Sequence, residues 1–279
     1  MRTVALSDGK RVPVLGQGTW RMGENKSARA NEVAALRLGI ELGMSVIDTA
    51  EMYGDGDAEE IVAEAIRGQH QHVFVVTKVY PHNASRVELP KACERSLKRL
   101  RIDVIDLYLL HWRERTPPLQ ETVDAFEKLR AVGKIKPRGV SNFDVDDMEE
   151  LLSLENGRKC AANQVLYNLQ NREIEFDLLP WSQTNKIPIM AYSAVGHSGQ
   201  LLRNPTLKKN AQSHDATPAQ IALAWVLRQP DVIAIPKAST EAHVRDNAAS
   251  LKIKLTKEDM TDLDGEFPPP KSKKSLPML

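Results

Sequence analysis

The stretch VIDTAEMYGDGDAEE, residues 46–60, indicates the kind of fold because it contains one complete strand–turn–helix unit. Its first residues form a short apolar run with β-branched side chains, which predicts a buried strand that ends at Asp48. Its last residues, DAEE, are typical of the first turn of a capped helix. Between the two elements, Tyr53 and several acidic side chains are crowded into a short polar turn. Parallel sheets are built from units of this kind.

The same unit recurs along the chain. Short apolar runs with β-branched character, each followed by a helical pattern, are VIDT, VFVVTK, IDLYLLH, PRGVSN, NQVLY, IPIMAYS and VIAIPKA. A further strand around Val14, Leu15 and Gly16 brings the strand candidates to eight, the number that closes a (β/α)8 TIM barrel. We therefore predict an α/β fold with a barrel of parallel strands.

The helices between the strands carry start and end signals. Pro118 precedes the helical pattern LQETVDAFEKL, and the segment TPAQ at residues 217–220 is a capping box with proline at the first helical position. One face of the helix after Pro118 carries four apolar residues, Val123, Phe126, Leu129 and Val132. We expect that face to pack on the core.

The two ends of the chain lie outside the repeated units. Residues 3–14, TVALSDGKRVPV, alternate apolar and polar positions around a turn, which predicts an N-terminal β-hairpin that plugs the lower end of the barrel. The tail at residues 266–279, EFPPPKSKKSLPML, is short and rich in proline and lysine, which predicts a flexible, solvated end. Because no linker or change in composition interrupts the sequence, we expect residues 1–279 to form a single domain.

The composition favours a small-molecule partner. The formal net charge of +1 arises from 38 basic and 37 acidic side chains spread along the chain, so the sequence predicts no surface for nucleic acid or an anionic membrane. Cys93 and Cys160 are far apart and belong to no metal-ligand cluster, which is typical of a reduced protein. Without a signal peptide or a long apolar run we expect a cytoplasmic protein, and without a heptad repeat a monomer.

Polar side chains stand at the carboxyl ends of six predicted strands. They are Asp48, Lys78, His111, Asn142, Tyr192 with Ser193, and Lys237. In a parallel barrel these ends open on one face, where barrel enzymes build their active sites. A single such residue is readily explained as a satisfied structural group. A charged residue after a fully apolar run needs a partner to offset its desolvation, so the whole set predicts a catalytic crater.

The spacing of Asp48, Tyr53, Lys78 and His111 resembles the catalytic tetrad of the aldo-keto reductase family. The resemblance covers nearly the whole chain, through the segments GQGTW, IDTAEMYG, TKV, DLYLLHW, GVSNF, NQVLYN, YSAVG and IPKAS to Asn247. The segments VIDTAEMYGDGDAE and LPWSQTNKIPIMAYS are similar to the sequences of bacterial members such as methylglyoxal reductases and 2,5-diketo-D-gluconate reductases. The resemblance implies an NADPH-dependent oxidoreductase that reduces aldehydes, α-ketoaldehydes, diketones or keto sugars to alcohols.

The tetrad also makes chemical sense. Reduction of a carbonyl by hydride needs a proton for the developing alkoxide, and tyrosine with its pKa of about 10 is a weak acid at neutral pH. We expect Lys78 to lower the pKa of Tyr53, and Asp48 to keep the lysine charged and in place. His111 is suited to donate a hydrogen bond to the carbonyl oxygen.

The other acids of the turn have no matching role. We expect Asp57 to cap the following helix. Glu51 and Asp55 are expected to be solvated loop residues.

The coenzyme is expected to bind on the barrel itself. The segment GQGTWRMG has the wrong glycine spacing for a Rossmann fingerprint, and no metal-ligand cluster is present. The resemblance implies that a nicotinamide coenzyme lies across the barrel mouth, with its carboxamide bonded by Ser141, Asn142 and Gln164. It also implies that Tyr192 stacks on the nicotinamide. Ser193 and residues 195–199 would lie near the pyrophosphate.

A site for the 2′-phosphate of NADPH is implied at the start of the last barrel helix. Lys237 supplies a cation there, and Ser239 or Thr240 caps the helix, an arrangement that favours a bound phosphate. The resemblance places Asn247 near the adenine, so we predict NADPH over NADH. His243 stands where many family members carry an arginine, so we expect moderate selectivity.

The resemblance implies a substrate pocket lined by Trp20, Tyr80 and Trp112. Because the tail is short, we expect an open pocket suited to small or polar carbonyls. Two alternatives use the same fold: a catalytically weak, coenzyme-binding regulatory protein, and an unrelated barrel enzyme with Lys78 as a Schiff base. Tyr53 beside Lys78 weighs against the first alternative. The second gives no reason for Asp48 and Tyr53.

Overall fold

The computed structural model describes residues 1–279 as ten strands and ten α-helices. The strands are β1 (Thr3–Ala5), β2 (Arg11–Pro13), β3 (Gln17–Gly18), β4 (Val46–Asp48), β5 (Phe74–Val79), β6 (Leu107–Leu110), β7 (Arg138–Ser141), β8 (Cys160–Leu166), β9 (Ile189–Tyr192) and β10 (Val232–Ala234). The helices are α1 (Arg29–Glu41), α2 (Asp57–Ala65), α3 (Glu88–Leu100), α4 (Leu119–Ala131), α5 (Val145–Ser153), α6 (Leu178–Asn185), α7 (Pro205–Ser213), α8 (Pro218–Leu227), α9 (Glu241–Ala249) and α10 (Lys257–Glu266). Strands β3 to β10 form one eight-stranded sheet in chain order, and all its pairs are parallel.

The barrel closes where its first strand meets its last. Leu15 and Gly18 form parallel bridges to Ala234 and Lys237. A Cβ atom at Gly18 would lie 2.7 Å from the carbonyl oxygen of Ile235, so only glycine allows the two chains to approach this closely. The prediction of a (β/α)8 TIM barrel is confirmed.

One strand boundary differs from the prediction. Regular pairing of the first barrel strand begins at Gln17, whereas the sequence favoured residues 14–16. Those residues serve the closure instead, because the Gly16 amide donates to the carbonyl of Ala234 at 2.8 Å and the Ala234 amide donates to the carbonyl of Val14 at 2.8 Å.

The N-terminal hairpin is present and covers the lower end of the barrel, as predicted. β1 and β2 pair antiparallel, with Val4 opposite Val12 and both side chains buried. Ser7 in the turn donates its hydroxyl hydrogen to the carbonyl of Cys160 at 2.6 Å. Because Cys160 is the first residue of β8, the hairpin lies at the amino ends of the barrel strands.

The strongest helix signals are confirmed. α8 begins with Pro218 after a capping box formed by Thr217 and Gln220. α4 follows Pro118 directly. Three of the four predicted core residues of α4 are buried, namely Val123, Phe126 and Leu129.

Two local predictions were wrong. Val132 is 70% exposed, because α4 ends at Ala131 and the helical period no longer applies to the next residue. Asp57 does not cap α2 but is its first helical residue. Gly56 precedes it in a left-handed conformation, which moves the start of the helix by one position.

The structure also shows the state of the two cysteines, the length of the helices and the grouping of possible metal ligands. Cys93 and Cys160 are buried and unpaired, and burial raises the pKa of the Cys93 thiol to about 12. None of the helices is long and apolar enough to cross a lipid bilayer. No three His, Cys, Asp or Glu side chains are grouped so that they could hold a metal ion.

Candidate active site

A cavity of ≈ 570 Å³ opens at the carboxyl ends of the barrel strands. Its lining brings together eleven of the residues singled out from the sequence: Trp20, Asp48, Tyr53, His111, Trp112, Ser141, Asn142, Gln164, Tyr192, Ser193 and Lys237. Lys78 lies beneath this lining. Tyr80 and four residues at or near α9 lie outside it.

Lys78 on β5 joins the other members of the predicted tetrad below the cavity. It is fully buried, and its ammonium group donates to Asp48 Oδ2 at 2.8 Å and to Tyr53 Oη at 3.1 Å. A third bond of 2.8 Å goes to the carbonyl oxygen of Thr49. All three hydrogens of the ammonium group are therefore used, and the lysine links the carboxylate to the phenol.

The turn that carries Tyr53 depends on the sequence Gly-Asp-Gly that follows it. Gly54, Asp55 and Gly56 all have positive φ angles, of 57°, 53° and 100°. Glycine adopts this conformation freely, and aspartate tolerates it better than most residues. The turn returns the chain into α2 while the phenol of Tyr53 stays beside Lys78.

Burial governs the protonation of this group. It raises the pKa of Tyr53 above its ordinary value, and Lys78 opposes the rise without reversing it. Lys78 lowers the pKa of Tyr53, as expected, but the net pKa is raised because burial destabilises the phenolate more than the lysine stabilises it. Burial favours the neutral form of Lys78, but Asp48 and Tyr53 outweigh it and raise the pKa of the lysine. At neutral pH the tyrosine keeps its proton and the lysine its charge.

His111 stands beside Tyr53 as a neutral imidazole. The two rings are 5.8 Å apart and nearly perpendicular. Burial and the positive charge of Lys78 lower the pKa of His111 to about 2. Its Nδ1 is buried without a hydrogen-bond partner. The tautomer with a proton on Nε2 therefore offers a donor to the cavity.

The opposite wall carries a connected group of amides and hydroxyls. Gln164 donates to Asp48 Oδ1 at 2.7 Å, and Ser141 donates to the Gln164 carbonyl at 2.8 Å. Asn142, at a φ of 60°, accepts from the Tyr192 hydroxyl at 3.0 Å and donates to the His111 carbonyl at 3.1 Å. The three residues assigned to the carboxamide thus lie together.

This wall fits a nicotinamide carboxamide. The Oε1 atom of Gln164 accepts no hydrogen bond within the protein, and the residue lines the cavity. This oxygen can therefore accept from the carboxamide N–H. The side-chain amide of Asn142 donates to the hydroxyl of Ser141 at 3.2 Å, and both residues line the same cavity. Tyr192 is partly buried and presents an aromatic surface to the same cavity.

The region predicted to take the coenzyme phosphates lies at the rim. Ser193 has a φ of 50°, and residues 195–198 continue the lining after it. Lys237 is exposed three residues after β10 and forms no ion pair. A phosphate would meet an uncompensated positive charge there.

Four residues predicted for the adenine end of the coenzyme lie away from the cavity. Thr240 caps α9 and accepts from the His243 amide at 3.4 Å, as expected. Ser239 precedes it and is partly buried, and the side chain of His243 is exposed. Asn247 is 7% exposed on the same helix. Ser239 and Thr240 follow Lys237 in the chain and lead into α9, which carries His243 and Asn247.

Two of the three residues predicted to contact substrate line the cavity. They are Trp20 and Trp112. Tyr80 lies behind Trp112, with ring centroids 5.7 Å apart and planes perpendicular. Sequence reasoning missed Met52, which also lines the cavity and is exposed beside Tyr53. A side chain next to a predicted acid was a signal that could have identified it.

The tail differs from the expectation of a flexible end and an open pocket. Met278 and Leu279 line the cavity. Lys273 anchors the tail through ion pairs to Asp144 at 3.3 Å and to Asp177 at 3.0 Å. The lysine-rich residues 271–275 are exposed, as the composition suggested, but Lys273 also binds two carboxylates at the starts of α5 and α6. The tail therefore covers part of the barrel mouth.

Two acids of the turn behave differently. Asp55 is exposed, as predicted. Glu51 is only 7% exposed, so the prediction of a solvated loop acid was wrong for this residue. Its carboxylate binds backbone and side-chain donors of the neighbouring loop, which the local sequence does not reveal.

Known proteins resemble this chain over its whole length. A sequence model of the Aldo/keto reductase family matches residues 14–266. The chain is 50% identical over 282 residues to the methylglyoxal reductase YeaE of Escherichia coli strain K12, covering 100% of this chain and 99% of that protein. It is 33% identical over 262 residues to the glyoxal reductase of Bacillus subtilis strain 168, covering 94% and 91% of the two proteins. The crystal structure of an aldo/keto reductase from Klebsiella pneumoniae in complex with NADP and acetate has a TM-score of 0.97 at 50% identity and covers 99% of each chain.

Proposed function

The chain belongs to the aldo/keto reductase family, and from that premise we propose that it reduces small α-ketoaldehydes to hydroxycarbonyl compounds with NADPH. Other aldehydes, diketones and keto sugars form the wider substrate class. The relatives named above act on methylglyoxal and glyoxal, and the similar crystal structure contains NADP.

The proposal rests on one observation above all. A continuous line of short contacts runs from Asp48 through Lys78 to the hydroxyl of Tyr53, and it ends in a cavity beside neutral His111. A protein that only binds a coenzyme has no use for a buried lysine bonded to a tyrosine. Carbonyl reduction needs that pair, because a proton must reach the oxygen as the hydride reaches the carbon.

Bound NADPH supplies the hydride. Tyr53 donates its phenolic proton to the carbonyl oxygen as negative charge develops on it. Lys78 stabilises the phenolate that remains, and this stabilisation is large because the group is shielded from water. Asp48 balances the lysine charge. His111 donates from Nε2 to the same oxygen and orients the carbonyl.

The coenzyme would be held along the opposite wall and the rim. We assign Ser141, Asn142 and Gln164 to its carboxamide and Tyr192 to its nicotinamide ring. Ser193 would contact the pyrophosphate, and Lys237 the 2′-phosphate. The partial burial of Tyr192 and the free cation of Lys237 support this direction of binding.

The shape of the cavity favours a small substrate. Trp20, Met52, Trp112 and Met278 surround its mouth with apolar surface, while its floor carries the polar tetrad. A short carbonyl compound can place its oxygen between Tyr53 and His111 on this floor, and only a larger substrate would press on the apolar walls.

The proposal extends to the state of the protein. Residues 1–279 would act as one domain and as a monomer in the cytoplasm, because charges are balanced and no heptad repeat marks a partner helix. Light scattering should give the mass of one chain. A dimer mass that does not change with concentration would contradict the monomer.

Loss of NADPH absorbance tests the reaction directly. The purified protein is supplied with methylglyoxal, glyoxal, a diketone, a keto sugar and an aromatic aldehyde, and the Tyr53→Phe variant serves as the matched control. We expect the highest kcat/KM with methylglyoxal, the α-ketoaldehyde of the set. If NADPH binds but no carbonyl is reduced faster than by the variant, the protein is a coenzyme-binding module rather than a reductase.

A further inference from the structure

Glu51 lies in the same turn as Tyr53, two positions before it, and its carboxylate is buried. Its side chain is only 5% exposed, whereas Asp55 in the same turn is open to solvent. Removing a carboxylate from water is costly unless polar partners replace the lost hydration. The identity of those partners indicates what the residue does.

The partners of Glu51 belong to the loop that leaves β5. Its Oε1 accepts from the backbone amide of Tyr80 at 2.8 Å and from the side-chain amide of Asn83 at 3.0 Å. The Glu51 amide donates to the carbonyl of Lys78 at 3.3 Å. Arg95 on α3 lies 3.6 Å from Oε2. Glu51 therefore joins the turn of the acid to the end of the strand that carries the lysine.

Tyr80 connects the loop bound by Glu51 to the substrate side of the cavity. Its ring meets Trp112 edge-on at 5.7 Å and stacks on His82 at 4.6 Å. Trp112 in turn lies 5.0 Å from the ring of His111. Tyr80 itself does not line the cavity, so it acts on a substrate only through the rings in front of it.

We infer that Glu51 is a positioning residue that fixes the substrate wall. Its carboxylate holds the loop at Tyr80, and Tyr80 holds Trp112 against the cavity. The inference rests on the carbonyl reduction proposed above. It applies to carbonyl substrates large enough to press on Trp112, such as aromatic aldehydes, and far less to methylglyoxal, which does not extend beyond the polar floor.

The hydrogen bonds matter more than the negative charge of Glu51. The Arg95 side chain is 46% exposed, and an ion pair with an exposed partner contributes little. The amide oxygen of glutamine can accept from Tyr80 and Asn83 as the carboxylate does. Glu51→Gln should therefore keep the loop at Tyr80 and the ring of Trp112 in place, whereas Glu51→Ala should release them.

The experiment compares kcat and KM for an aromatic aldehyde and for methylglyoxal in the unmodified protein and in Glu51→Ala, Glu51→Gln and Asp55→Asn. Loss of the two hydrogen bonds predicts that Glu51→Ala lowers kcat/KM for the aromatic aldehyde by roughly 10- to 100-fold, mainly through KM. The kcat/KM of Glu51→Ala for methylglyoxal should change by less than about fivefold, since that substrate does not press on Trp112. Glu51→Gln and the solvent-exposed control Asp55→Asn should behave like the unmodified protein.

Equal losses for the two substrates would overturn the inference, because they would indicate general damage to the site. So would a Glu51→Gln variant as impaired as Glu51→Ala. If Glu51→Ala does not fold, Asn83→Ala removes one of the same bonds, and it must shift the substrate ratio in the same direction. An unmodified protein that reduces neither carbonyl would instead contradict the proposed function itself.

Discussion

The side-chain amide of Gln164 on β8 donates to Oδ1 of Asp48 on β4 at 2.7 Å, although 116 positions separate the two residues. Lys78 holds the other oxygen of the same carboxylate. Burial raises the pKa of Asp48, and these two partners restrain the rise. A residue assigned to the coenzyme thus also supports the tetrad from the far side of the barrel.

Gln164→Leu should therefore disturb both roles. The buried carboxylate loses one of its hydrogen bonds, so the pKa of Asp48 rises further and the lysine is held less well. We expect kcat/KM to fall by roughly 10- to 100-fold, the value of one hydrogen bond to a charged group. The acidic limb of the pH profile should move to higher pH. An unchanged acidic limb with weaker NADPH binding would leave Gln164 with the coenzyme role alone.

Tyr53→Phe should separate chemistry from binding. The variant lacks the proton donor but keeps the ring, so kcat should fall by roughly 10²- to 10⁴-fold, the usual contribution of general acid catalysis. The dissociation constant for NADPH, measured by quenching of protein fluorescence, should stay the same. A loss of less than about tenfold would show that another group supplies the proton.

Lys78→Met should cost both activity and stability. Asp48 would remain as a buried charge without its partner, which predicts a loss of about 3–5 kcal/mol in the free energy of unfolding. Adding Asp48→Asn should recover much of that free energy, because the unpaired charge is gone. Activity should stay low in both variants. Urea denaturation and NADPH oxidation measure the two effects, and a double variant no more stable than Lys78→Met would contradict the pairing.

His111 should make the protein sensitive to acid. Its pKa is lowered to about 2 in the folded protein, while the unfolded chain binds a proton below a pH of about 6.5. Above that pH, neutral His111 makes its full contribution to the free energy of unfolding. This contribution falls by about 1.4 kcal/mol for each pH unit below it. Urea denaturation between pH 4.5 and 7.5 should show that the free energy of unfolding falls less steeply with decreasing pH for His111→Gln than for the unmodified protein. Parallel curves for the two proteins would contradict a neutral, buried His111.

The rim at Lys237 should set the preference for NADPH over NADH. One charge-assisted hydrogen bond to the 2′-phosphate supports a preference on the order of 10- to 100-fold. Lys237→Ala should lower the ratio of kcat/KM values for the two coenzymes. His243→Arg should raise it, because a guanidinium can bind the phosphate through two hydrogen bonds. Equal or better use of NADH by the unmodified protein would rule out this phosphate site.

Local sequence patterns were enough to predict the barrel and most of the candidate site. Strand and helix periods are local patterns, so eight strand–helix units could be counted directly, although a boundary such as Gln17 shifted with the pairing across the seam. In a parallel barrel every strand ends on the same face. For that reason residues as distant as Asp48 and Lys237 could be placed around one cavity before any contact was known.

The depth at which each group is buried, and the groups that it contacts, depend on the folded barrel. Glu51 and Asp55 look alike as acids of one turn, yet a loop about 30 positions away buries the first and leaves the second in water. The pKa of Tyr53 rises rather than falls because desolvation depends on the whole surrounding shell. The bond from Gln164 to Asp48 and the tail anchored by Lys273 join segments far apart in sequence. Local periodicity carries no information about such contacts, since they form only when the closed barrel brings the segments together.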